Sequence, residues 1–139
     1  MAMTYADAKE FYCNGGGIGF HATTFIAASD ITATTDEGKL LAITGNGEVG
    51  TGDDAGTPIG VLSRYESDGY VGVQDAGYAE IDIEHDATAA NEVQVGGWVE
   101  TDGAGKGAQS STNKGLLAVA VDATNHKAIV KIGSPSGSR

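Results

Sequence analysis

The chain is 139 residues long, with 19 acidic residues against 8 basic, a formal net charge of −11, and 22 glycines. That length accommodates one domain with one modest core. So acidic a chain repels phosphate backbones, which argues against nucleic acid and anionic membranes as partners. Ala supplies 20 residues, against 10 Val, 9 Ile, 5 Leu and 3 Phe. Burial stabilises at roughly 25 cal/mol per Å² of apolar surface, so an interior short of large side chains predicts a thin monomeric core. Part of the stability is then expected from association.

Residues 1–24 read as an N-terminal arm. Thr4 to Tyr12 is polar and aromatic, suited to a helical turn or an extended segment, and it runs into Asn14-Gly15-Gly16-Gly17-Ile18-Gly19. The expectation is an arm that is loose alone and ordered by a partner. From Phe20 onward β signals dominate, in runs at Phe20 to Ala28, Leu40 to Ile43, Pro58 to Leu62 and Tyr70 to Gln74. Asp68-Gly69 joins the last two as a hairpin. Tyr78 to Glu84 alternates, with Ala79, Ile81 and Ile83 on one face and Glu80, Asp82 and Glu84 on the other. Asn91 to Glu100, Gly115 to Val121 and Lys127 to Ile132 complete the set, and residues 134–139 read as a mobile tail.

No apolar period of 3.6 persists for three turns, so a long helix is not expected. The fold class predicted is all-β: a small glycine-rich barrel or sandwich over residues 25–133. Two hairpins echo one another, Gly60-Val61-Leu62 with Val71-Gly72-Val73 and Gly115-Leu116-Leu117 with Ala128-Ile129-Val130. They suggest two halves of one barrel.

Residues of the types that carry chemistry have plainer readings. Gly15 to Gly19 lacks the strand, helix and Lys-Ser/Thr pair of a phosphate loop. Glu80, Asp82 and Glu84 form an acidic row suited to a solvated face, a basic partner or a divalent cation. The paired carboxylates of a glycosidase normally face each other across a cleft. Asp53-Asp54-Ala55-Gly56 is short of Ca²⁺ ligands. His21, His85 and His126 are far apart in sequence, so no zinc site follows from spacing, and His85 reads as capping the apolar face of its strand. Cys13, the single cysteine, permits no internal disulfide and reads as a spectator thiol in the arm. Trp98 reads as a core residue, with an interface anchor as the second choice. No apolar run approaches the ~20 residues needed to span a bilayer, and no signal segment is evident, so folding in a reducing cytoplasm is expected.

Gly56-Thr57-Pro58-Ile59-Gly60-Val61-Leu62, Gly72 to Ile81, Val95 to Gly107 and the closing Gly115 to Val121 with Ala128 to Ile132 resemble the capsid-decoration (cement, or head-stabilising) proteins of tailed bacteriophages. The resemblance spans roughly residues 25–133. It implies a structural virion protein without enzymatic activity or cofactor. Such a protein is a homotrimer bound to the major capsid protein on the outside of the expanded head, assembled in the host cytoplasm. It also implies an arm that pairs with capsid strands, with Tyr5, Phe11, Tyr12 and Phe20 as its contacts. Trp98, Glu80, Asp82 and Glu84 are the further interface candidates. A tail or fibre component, and a small carbohydrate- or Ca²⁺-binding β module, are the alternatives.

Overall fold

A computed structural model describes residues 2–15, 21–88 and 91–133. After one short helix, α1 (Tyr5–Lys9), continued by a π-helical turn (Glu10–Gly15), come ten strands. They are β1 (His21–Ala27), β2 (Leu40–Gly45), β3 (Glu48–Gly50), β4 (Asp54–Gly56), β5 (Gly60–Tyr65), β6 (Tyr70–Asp82), β7 (Trp98–Asp102), β8 (Gly107–Gln109), β9 (Leu116–Asp122) and β10 (Lys127–Ile132).

Five strands close a barrel. β1 runs parallel to β3, β3 pairs with β2, β2 with β5, β5 with β6, and β6 returns antiparallel to β1. Closure leaves these strands no free edge. Leu41, Val49, Leu62, Val71 and Val73 fill the interior, capped by Ile31 and flanked by Phe25 and Ala27.

β6 is too long for the barrel alone, and its second half changes partners. His21 of β1 pairs with Ala76, whereas from Gly77 to Asp82 β6 pairs with β10. At the change Gly77 adopts φ +97, and the buried Gln74 amide donates to the carbonyls of Ala76 and Tyr78 at 3.1 and 3.0 Å. Those bonds satisfy carbonyls near the place where the ladder switches partners. A second sheet follows in the order β6-β10-β9-β7-β4, with β8 on β7.

The inner face of this sheet packs on the outside of the barrel. Ile81, Val99, Leu116, Ala118 and Val130 form one buried cluster with Leu40 and Val61. Successive strand residues point to opposite faces, so Leu40-Leu41 and Val61-Leu62 serve both cores at once. Their apolar side chains run continuously instead of alternating because both faces are covered. A bulge at Val119, where Val130 pairs with Ala118 but Ile129 with Ala120, turns Ala120 outward. There Ala120 and Ile129 meet Ala8 of α1.

The all-β fold and the barrel agree with the sequence reading, but several details differ. Residues 21–24, expected in the arm, belong to β1 and close the barrel. The helical half of the arm lies on the second sheet with Ala8 buried, not loose in solvent. Tyr70 to Gln74 and Tyr78 to Asp82 are parts of one strand, which ends before Glu84. The two echoing hairpins fall in different sheets, joined through β6 and β10, and are not halves of one barrel. The expected tail, 134–139, lies outside the described residues.

Candidate functional site

The outer face of the second sheet carries most of the side chains singled out from sequence. Thr4 caps α1, its hydroxyl accepting from the Asp7 N–H at 3.1 Å. Five residues cannot hold a helix by themselves, so docking holds this one. The Tyr5 hydroxyl donates to Glu80 Oε2 at 2.9 Å, Lys9 Nζ lies 3.2 Å from Glu80 Oε1, and the Tyr12 and Tyr78 rings stack with centroids 4.6 Å apart. Burial and the Glu80 carboxylate both push the Tyr5 phenol well above its ordinary pKa. Burial, with Glu80 second, also raises the Cys13 thiol, the direction opposite to that of reactive cysteines.

Tyr5 and Tyr12 therefore face the chain's own sheet, whereas Phe11 stands 52% exposed. Phe20 lies outside the described residues. The acidic row keeps the alternation read from sequence, with Ala79, Ile81 and Ile83 buried on the opposite face. Glu80 is engaged with α1, and Asp82 pairs with Lys127 across the β6–β10 ladder. Glu84 is exposed, and partial desolvation, with Asp102, Asp54 and Asp86 nearby, raises its carboxyl pKa. Trp98 is not core. It is only half-buried, and its strand neighbour Val99 takes the fully buried place.

An apolar groove lies between the N-terminal segment and the second sheet. Tyr5, Tyr12, Val119 and Val121 line it, and Met3 and Val95 stand at its rim, 53% and 67% exposed. Val95 and Val121 also line the adjoining depression, with Val93 and Ile83, so the apolar surface is continuous. Sequence reading placed Val95 within a β run from Asn91 to Glu100, but β7 begins only at Trp98 and residues 91–97 lie outside any strand, so the groove was not foreseen.

A third constellation was hidden by sequence separation. His85, just past β6, Glu92, in the β6–β7 connection, and His126, in the β9–β10 turn, converge. The His85 Nδ1 to Glu92 Oε2 distance is 2.8 Å, that from His126 Nδ1 is 3.7 Å, and the two rings lie 4.4 Å apart. The Asp86 N–H, donating at 3.0 Å, and His85 hold the Glu92 carboxyl below its usual pKa. His85, read from sequence as the cap of its strand's apolar face, is thus engaged with Glu92 and His126. His21 lies elsewhere, 2.7 Å from Asp75 on the barrel. No protein-family model matches this chain, and its sequence matches none of the curated proteins.

Proposed function

We propose that this chain is a structural virion protein, a homotrimeric capsid-decoration protein that binds the outer surface of the expanded major-capsid lattice and stabilises it. The observation that carries the reading is the continuous apolar groove rimmed by Met3 and Val95. Exposed apolar side chains gathered along a groove offer a surface for association, and a sister chain is its natural occupant where the core is thin. The core is thin in a specific sense: among the described residues every buried hydrophobic side chain is Ala, Val, Leu or Ile, with no aromatic. The three-fold form and the capsid as partner follow from the resemblance carried by residues 56–62, 72–81, 95–107, 115–121 and 128–132. Phe11, exposed beside the docked helix, is the side chain of the arm best placed to meet the capsid.

Sedimentation of the purified chain tests both halves of this reading. The wild type is expected at three times the 14.0 kDa chain mass, and Val95→Glu at the monomer mass with an unchanged circular dichroism spectrum. Phe11→Ala should remain trimeric but no longer co-sediment with expanded, undecorated heads. A wild type that stays monomeric overturns the association, and a trimer that ignores such heads overturns the capsid role.

A further inference from the structure

We propose that His85, Glu92 and His126 form a binding site for a divalent transition-metal ion of the zinc class. One ligand atom from each residue lies within 4.8 Å of the others. Tetrahedral zinc takes imidazole nitrogens at about 2.0–2.1 Å and carboxylate oxygens at about 2.0–2.2 Å, which sets neighbouring ligand atoms roughly 3.3–3.5 Å apart. The separations of 2.8 and 3.7 Å about Glu92 Oε2 bracket that spacing, so small side-chain rotations complete the geometry. Two imidazoles and one carboxylate suit zinc, nickel, cobalt or copper, whereas Ca²⁺ and Mg²⁺ require oxygen ligands.

Two further features of His126 point the same way. Its Nδ1 is buried and has no hydrogen-bond partner, a costly condition that a bound cation relieves. Its backbone sits at φ +54, a left-handed position where glycine is easier. Among the described residues ten glycines occupy positive-φ positions, and Ala55, Asn113 and His126 are the non-glycine residues that do so. The Asp86 N–H donating to Glu92 supplies the outer-shell support that orients a ligating carboxylate.

The location explains what the ion would do. Residues 83–97 connect β6 to β7, and His85 and Glu92 both belong to this connection. His126 stands on the β9–β10 turn, which the Asp122 carboxylate braces by accepting from the Thr124 and Asn125 N–H groups at 3.2 Å each. A metal bridging these three residues staples the connection to the hairpin, and its fourth position stays open to water or to a side chain of another chain.

Thermal melts of the untagged, EDTA-treated full chain with added zinc, nickel or calcium chloride test the site. Zinc at a hundredfold excess over its Kd should raise Tm by about 5–10 °C, nickel should also raise it, and calcium should have no effect. Cobalt should produce the visible absorption of a four-coordinate nitrogen–oxygen site. Glu92→Gln should abolish the zinc response. His126→Gly should do the same while matching or exceeding the metal-free wild-type Tm, because it relieves the left-handed strain, so loss of folding is not confused with loss of ligation. A wild-type Tm indifferent to zinc, or variants that respond as the wild type does, would show an ordinary histidine–carboxylate ion-pair cluster and overturn the proposal.

Discussion

Gly60 and Gly115, the glycines that open the two echoing hairpins, carry very tight backbone approaches. A Cβ on Gly60 would lie 2.1 Å from the Gln74 carbonyl oxygen, and one on Gly115 would lie 1.9 Å from that of Val99. Gly115 also holds φ +119, so an alanine there is strained twice. Gly69, at φ +92, has nothing within 4 Å of the same position. Gly69→Ala should therefore cost only about 1 kcal/mol, from the backbone. Gly60→Ala should cost at least about 2–3 kcal/mol, because two strands must part, and Gly115→Ala should cost more still. Urea melts rank the three; a Gly60→Ala milder than Gly69→Ala would contradict the steric account. The sequence marked these glycines only as the residues that open two similar hairpins, since a carbonyl brought close by another strand leaves no local trace.

Among the elements, α1 depends most on what it touches. Its anchors are the buried Ala8, the Tyr5–Glu80 hydrogen bond, the Lys9–Glu80 ion pair and the Tyr12–Tyr78 stack. The exposed ion pair contributes little, so the hydrogen bond and the packing dominate. Tyr5→Phe keeps the ring and removes the hydroxyl, at a cost of about 1 kcal/mol. Hydrogen exchange of amides 5–13 should then quicken severalfold while the barrel amides keep their rates. Unchanged exchange in 5–13 would mean that something else holds the helix. The polar and aromatic character of this segment was legible in sequence, but its docking was not. Glu80 reads as one of a row of solvated carboxylates until the sheet brings it under Tyr5 and Lys9.

At the scale of the whole molecule, several carboxyls are held below their ordinary pKa. Asp36, buried in the turn before β2, is lowered first by Lys39 at 2.8 Å and then by the Thr32 N–H at 2.8 Å. At Asp75 burial acts upward, but hydrogen bonding with Thr23 and His21 outweighs it. Asp122 is lowered by Asn125, and Glu92 as described above. A group whose folded pKa lies below its unfolded one stabilises the fold above the unfolded value, and that stability is lost as pH falls through the folded value. Glu84, raised instead, acts in the opposite sense and is a single group. The melting temperature should thus be nearly flat from pH 7 to 5 and drop steeply below about pH 4, the ordinary range of these carboxyls. Melts in that series check this, and a Tm that rises between pH 4 and pH 3 would refute it. The trimer reading adds a second dependence, because an associating fold melts higher as the protein concentration rises.

The fold class, most strand positions and the two-faced pattern of Ala79 to Glu84 are written locally, because period-two alternation and glycine-bearing turns are properties of neighbouring residues. The sequence also made plain that the interior is built of small aliphatic side chains. Tertiary structure alone decided that residues 21–24 close the barrel, that β6 serves two sheets, that Trp98 stays half-exposed and that His85, Glu92 and His126 meet. Each of these depends on pairings between strands distant in sequence, and strand register, unlike strand character, is set by the partner.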